Sequence, residues 1–372
     1  LKKWIILIII SILLTIGIII RSNLSYILPW NIQKSWVNRI KSKEEILVYD
    51  FINKKLSEDN YGIYTNYLKE NSDGDITKGH DVLSESEGII MLYAVEEGDK
   101  GLFNKHYEIV KESMITKDAL VAWRKNKEEK SETSATIDDF RIIKALIYGY
   151  SRWGDFKYRK TAIDISNSIY KNLIVNNRVI DFKDEYGKAK DTTICYLDLN
   201  TMKLLSEVDK KWNNVYEDSI ALIKKAKISK ELPLYKKVYI NEKNFFEESN
   251  DVDMLLSLIT ILNKIEASEG KEEISIKWIK KQFDETGVLC SFYDINTGKA
   301  KTNVESTAIY STAAMIFSEL GDKTYYNKML KKLQTFQVKD KNSEVYGSFG
   351  NAETKQVYSF DNLNALLAIQ RR

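Results

Sequence analysis

The sequence predicts an all-α fold: a closed barrel of six helical hairpins, preceded by an N-terminal transmembrane helix. Three observations carry this. Residues 43–372 contain twelve segments with apolar residues at roughly 3.6 spacing. Short polar breaks such as Glu97-Gly98-Asp99 and Trp153-Gly154-Asp155 separate them, and glycine is a normal helix stop. Several of the segments open on carboxylates. If inner helices alternate with outer ones, all inner helices run the same way and their N-terminal ends share a face, which is then an acidic cleft. An open helical solenoid is the alternative, although no repeat of fixed period is visible.

The chain divides into residues 1–21, a transmembrane anchor or signal peptide, residues 22–42, a juxtamembrane connector, and residues 43–372, a helical domain. Lys2 and Lys3 precede an uncharged run at residues 4–20 that is nearly all Ile and Leu. As a helix this run spans ~26 Å at about 1.5 Å per residue, enough for a bilayer core with help from its flanks. Arg21 closes it, and Tyr26 and Trp30 suit a membrane interface. No small-x-small cleavage site precedes Pro29 and no cysteine is placed for lipid attachment, so an uncleaved anchor is favoured over a signal peptide. With Lys2 and Lys3 inside, the chain is expected to be a single-pass cell-membrane protein with its domain extracellular.

The helices are expected at 44–57, 84–97, 101–113, 137–152, 156–173, 198–207, 213–225, 249–265, 275–283, 305–319, 323–336 and 359–371. Strands are few; 177–182 and 287–293 are candidate hairpin arms.

Composition narrows the chemistry. A net charge of +3 argues against a nucleic-acid partner, which calls for a basic stripe. Cys195 and Cys290 lack metal-ligand spacing, and two cysteines do not make a disulfide framework, though one bridge stays open. Two histidines, His80 and His106, leave little room for a zinc site or a Ser-His-Asp triad. Carboxylate chemistry is the default. No cofactor or metal is expected, and a monomer is favoured.

The helix starts supply the carboxylates. In Ser84-Glu85-Ser86-Glu87, Ser84 is placed as N-cap and Glu87 as the reciprocal acid of a capping box. Glu85 is then left for chemistry; the plainer reading is that both glutamates only favour the helix dipole. Thr136-Ile137-Asp138-Asp139 opens the next such helix, with Thr136 as cap. Asn250-Asp251-Val252-Asp253 opens another, with Asn250 as cap. Glu305 and Asp361 stand at two more starts.

At residues 84–95 and 134–149 the sequence resembles glycoside hydrolase family 8. That family has a Ser-Glu-Gly stretch leading into Gly-x-Leu-Leu-x-Ala-Val, here Ser84-Glu85-Ser86-Glu87-Gly88-Ile89-Ile90-Met91-Leu92-Tyr93-Ala94-Val95. Its second signature, Ala-Thr-Asp-Ala-Asp, is here Ala135-Thr136-Ile137-Asp138-Asp139, followed by an apolar helix ending in Trp153-Gly154-Asp155. Trp123-Arg124 resembles the Trp before that signature. Tyr346-Gly347-Ser348-Phe349-Gly350 and Tyr358-Ser359-Phe360-Asp361-Asn362 resemble the family's bacterial exopolysaccharide-associated branch. The resemblance implies an (α/α)6 barrel and inverting hydrolysis of a β-linked polysaccharide, which the cell itself makes in that branch. It implies Glu85 as general acid and Asp139 as the second signature aspartate. Ile137 stands where the first belongs, with Asp138 displaced by one. The family's base motif, an aspartate ahead of an arginine and Pro-Trp, is absent; Asp253 is the candidate from position alone, with Asp251 in reserve.

An inverting glycosidase needs a protonated acid and a base that activates water, their carboxyls roughly 6.5–9.5 Å apart. A helix N-terminus lowers an acid's pKa, so Glu85 serves only if burial or Asp138 and Asp139 outweigh the dipole. Sugar binding needs flat aromatic faces, and Trp123, Tyr196, Phe292, Tyr293 and Tyr346 fall in expected loops or helix ends. Tyr93 and Tyr148 lie inside helices and read as structural. Arg124, Arg141 and Lys144 suit an acidic sugar or a solvated helix face. Trp123, Arg124, Tyr196, Tyr346 and Asp361 are the candidate substrate contacts. A non-catalytic glycan-binding or polysaccharide-assembly protein on the same fold is the rival reading, fed by Ile137 and the missing base motif. A lyase is disfavoured by the two histidines.

Overall fold

Glycine stops and apolar stripes cut the chain much as the sequence suggests. The computed structural model describes residues 4, 10–11, 24–32, 34–37, 39–69 and 79–371. Among them lie twelve α-helices: α1 (Lys43–Lys55), α2 (Ser84–Glu97), α3 (Lys100–Ser113), α4 (Thr136–Trp153), α5 (Phe156–Asn172), α6 (Leu199–Val208), α7 (Trp212–Ala226), α8 (Met254–Glu266), α9 (Glu273–Thr286), α10 (Thr307–Glu319), α11 (Lys323–Leu333) and α12 (Ser359–Gln370). Gly98 and Gly154, both at positive φ, end α2 and α4 in the left-handed conformation that a Cβ disfavours.

The even-numbered helices form a closed ring, α2 to α4 to α6 to α8 to α10 to α12 and back to α2, and the odd-numbered helices pack outside it. Patterning explains the division. In α10 every residue from Thr307 to Phe317 is buried, as a helix enclosed on all sides requires. In α11 only Tyr326, Met329, Leu330 and Leu333 are buried, a single stripe facing inward. Because outer helices return the chain, the inner N-termini gather at one end, the mouth. Cross-links between those starts fix the geometry: Ser84 Oγ donates to Asp138 Oδ2 (3.0 Å), Ser86 Oγ meets Ser359 Oγ (2.9 Å), and Ala308 N–H donates to Asp361 Oδ1 (3.1 Å).

Two expectations on secondary structure are corrected. The helix expected from 249 begins at Met254, because Asp251–Asp253 pairs antiparallel with Phe292–Asp294. The hairpin expected over 177–182 is the short pair Ile174–Val175 with Arg178–Val179.

The connector crosses the opposite end, the floor. Ser151 Oγ donates to the Ile32 carbonyl (3.2 Å), and Arg39 bonds Glu45 (2.6 Å) and Glu97. Tyr26 and Trp30, expected at a membrane interface, are engaged by the barrel instead. Tyr26 donates to Asp164 Oδ1 (2.8 Å), and the Trp30 ring lies edge-on 5.0 Å from Tyr150. Most of the apolar run at residues 4–20 lies outside the described residues. Among the described residues no helix is long and apolar enough to cross a membrane. Cys195 and Cys290 are free and buried.

Candidate active site

At the mouth the start of α2 differs from the expected capping box. Leu83 is the N-cap and no side chain caps the helix. Ser84 is already in the first turn, so its hydroxyl points sideways to Asp138 on α4, while its N–H donates to the Trp123 carbonyl (3.0 Å). Glu87 turns into the core. Its Oε1 accepts the Ile63 N–H (2.8 Å) and its Oε2 lies 2.7 Å from His106 Nδ1. The helix starts at Thr136 and Asn250 are corrected likewise. Thr136 Oγ1 donates to the Ile180 carbonyl, and Asp253 caps α8 by accepting the Leu256 N–H (3.0 Å).

Glu85 remains, half-buried, at the mouth. Burial pushes its carboxyl up to about 7. The negative charge of Asp138 adds to this, Arg141 opposes it, and Asp361 adds further. Asp138 is buried and also raised by desolvation, against the Arg141 guanidinium, whose Nη1 donates to Asp138 Oδ1 at 2.5 Å, and against the Ser84 hydroxyl. Asp361, in the first turn of α12, is pushed by burial to about 6 against the Ala308 N–H. Burial thus overcomes the helix dipole at each of these starts.

Asp139 is differently placed. It is fully buried, its Oδ1 accepts the Val121 N–H (2.7 Å), and burial raises its pKa well above the ordinary range. At the place where the resemblance puts the second signature aspartate, this buried carboxyl ties the Val121 loop to α4. Ile137 lines a cavity of about 100 Å³ within the ring, together with Phe360, Arg141 and Lys144. The apolar residue therefore faces the axis, and the carboxylate beside it, Asp138, serves the mouth.

Tyr196 stands half-buried among the acids. Burial raises its phenol, and the charges of Asp181, Asp138 and Glu85 raise it further. Burial likewise pushes the neighbouring Cys195 thiol up to about 12, with Asp181 and Asp253 contributing. Asp253 opens into a groove of about 350 Å³ that also involves Tyr235, Lys236, Glu248 and Phe292. Asp251, on the same rim, is exposed and ion-paired with Lys301, which leaves it poorly suited to act as a base.

Trp123 is half-buried and joined by its backbone to the start of α2. The Arg124 guanidinium lies over its ring (5.4 Å) and 3.3 Å from Asp81. Tyr346 is not joined to this cluster. Its neighbour Gly347 packs against Leu47 of outer helix α1, where a Cβ would lie 2.9 Å from the Leu47 carbonyl oxygen. Lys144 is neither a clamp nor a solvated residue; it is buried, 2.9 Å from Asp198 and 3.1 Å from Glu266. Glu305 is occupied by Tyr310 and by Lys332 (2.9 Å).

Sequence reasoning missed Asp181. Burial pushes it to about 6, against the N–H (2.6 Å) and hydroxyl (2.7 Å) of Thr193. It opens no helix, so the signal used for the other acids passes it by. Among the described residues no group of three or more His, Cys, Asp or Glu side chains is placed to hold a metal ion.

Known proteins share this fold. The model of glycosyl hydrolases family 8 matches residues 66–236. A Clostridium perfringens protein described as a novel alpha-amylase is 52% identical, covering 90% of this chain and 99% of its own, with a TM-score of 0.86. The Bacillus subtilis (strain 168) protein named "Putative lipoprotein YdaJ" is 26% identical over 83% of this chain and 84% of its own. Endoglucanase Cel10 of Klebsiella pneumoniae, a family 8 glycosyl hydrolase, is 16% identical; it covers 88% of this chain and 99% of its own with a TM-score of 0.63, a likeness of fold.

Proposed function

We propose that this glycosidase, whose residues 66–236 match the model of glycosyl hydrolases family 8, cleaves a glucan by an inverting mechanism with Glu85 as general acid and Asp253 as general base. The observation that carries this is Glu85 itself, half-buried at the mouth and pushed to about 7 by burial and by Asp138. A carboxyl of that pKa is substantially protonated near neutral pH and can donate to a leaving oxygen. Asp253 belongs to α8, which faces α2 across the ring of six inner helices, so the two carboxylates stand on opposite sides of its axis. Asp253 also stands at the head of a groove into which a chain can extend. Trp123 and Tyr196 offer ring faces beside the acid, with Asp138 and Asp361 near the cleaved bond. Asp139 holds the loop behind them.

The 52% identity to a protein described as an alpha-amylase makes an α-linked glucan the first substrate to test. A β-linked polysaccharide is the second reading, as the resemblance to family 8 over residues 66–236 implies. Attachment to the outer face of the cell membrane is part of the proposal, supported by the apolar run at residues 4–20 and by the name of the Bacillus subtilis relative. Protease added to intact protoplasts should then digest the domain.

The test is hydrolysis of amylose and of a β-glucan by wild type and Glu85→Gln, with product anomers followed by NMR. The wild type should release product of configuration opposite to the bond cleaved. Glu85→Gln should lose roughly 10²–10⁴-fold in rate. Full activity in that variant removes the acid assignment. Binding without hydrolysis by wild type on both glucans points to a non-catalytic glycan-binding protein.

A further inference from the structure

We propose that Arg141 is a positioning residue that keeps the proton of the Glu85–Asp138 pair on Glu85, and that position 88 is glycine to admit it. The inference rests on the reading of Glu85 as general acid.

The two helices present matching pairs. Glu85 and Gly88 lie three apart on α2, Asp138 and Arg141 three apart on α4, so each pair shares a face one turn deep. The Arg141 stem passes across α2 at Gly88, where a Cβ would lie 3.2 Å from both its Cγ and its Cδ. That route brings Nη1 to Asp138 Oδ1 at 2.5 Å, and Ser84 Oγ supplies a second donor to Oδ2 at 3.0 Å. Both oxygens of Asp138 therefore accept, which favours its charged form. Two neighbouring carboxyls resist ionising together, so with Asp138 held as the anion the proton stays on Glu85.

The other charged groups around the pair leave this task to Arg141. Tyr196 faces it from the 194–196 turn and Asp361 from α12, and neither of these is a cation. Deeper in the ring, Lys144 is held by Asp198 and Glu266, and Arg371 by Glu266 (2.9 Å) and Glu319 (2.7 Å). Among the described residues, Arg141 is the cation bonded to Asp138.

The experiment measures kcat/KM against pH, together with thermal melting, for Arg141→Met, Arg141→Lys, Gly88→Ala and Asp138→Asn. Loss of the cation should let the proton divide between the two carboxyls. Arg141→Met should lower the plateau by about tenfold or more and move the alkaline limb upward, while Arg141→Lys restores most of both. Gly88→Ala displaces the side chain and should give a smaller shift in the same direction with a folded protein, which keeps the test decisive if Arg141→Met does not fold. In an Asp138→Asn background, where no second carboxyl can take the proton, the plateau loss from Arg141→Met should vanish. A structural role alone would lower the melting temperature and leave the pH profile in place, and that result overturns the inference. If Glu85→Gln is inactive while Arg141→Met and Gly88→Ala keep the wild-type profile, only this inference fails. If Glu85→Gln is active, the reading beneath it fails.

Discussion

The mouth and the floor of the barrel treat the same side chain in opposite ways. At the mouth Glu85 and Asp361 lie in the first turns of inner helices, and they titrate at about 7 and about 6. At the floor Glu266 ends α8, where Lys144 and Arg371 hold it at about 2 against a burial that pushes it up. Glu272, on the same side, is held at about 2 by Lys227 and Lys264, again against burial. Helix dipoles predict the reverse order, since an N-terminus favours a carboxylate and a C-terminus disfavours it. The magnitudes decide. A dipole contributes roughly 0.3–1 kcal/mol, less than one pK unit, whereas desolvation alone shifts a buried group by up to about 3–5 units. The floor acids are given cations at hydrogen-bond distance. The mouth acids are buried near one another, and Arg141 offsets only part of that. A site for proton transfer is thus made by giving a bonded cation to Asp138 and not to Glu85 or Asp361 beside it.

The comparison can be broken at several points. The largest effect is expected at Asp253: changing it to Asn should cost roughly 10²–10⁴-fold in rate if it is the base, with little change in melting. Unchanged turnover would shift attention to Asp181, whose carboxyl is pushed to about 6. Next, Lys144→Met should act on stability. It leaves Asp198 and Glu266 buried without their shared cation, at a cost of about 3–5 kcal/mol in denaturant unfolding. A loss under about 1 kcal/mol would show that the floor is not held by this pair.

The two ends should also respond to pH in opposite directions. Glu85 is raised, so its contribution to stability is present below about 4.5 and lost as pH rises through about 7. Glu266 is depressed, so its contribution is present above about 4.5 and lost as pH falls toward about 2. Thermal scans should show Glu85→Gln gaining stability relative to wild type above pH ~7, and Glu266→Gln losing it there. Parallel curves would sink the contrast. The smallest effect belongs to Asp251→Asn, which removes an exposed pair with Lys301 worth about 0–1 kcal/mol and should leave turnover within a few-fold of wild type.

Much of the architecture was legible along the chain. The helix at 84–97 was read to the residue, and most other ends fell within a few positions, because apolar spacing and glycine stops are local properties. The exception at α8 is instructive. Residues 251–253 look like a helix entry but pair with Phe292–Asp294, and nothing near residue 250 announces that partner.

What the sequence determined by itself was the set of helices and the presence of acids at several of their starts. Each of these follows from periodicity and helix termination within short stretches. What only the tertiary structure decided was which acid faces the mouth. Glu85 and Glu87 are two residues apart, and Asp138 and Asp139 are adjacent, yet one of each pair faces the mouth and the other is locked inside. Glu87 is captured by Ile63 and His106, and Asp139 by Val121, partners lying 24, 19 and 18 residues away. A carboxylate's protonation depends on the burial and charge around it, and those are set by neighbours in space.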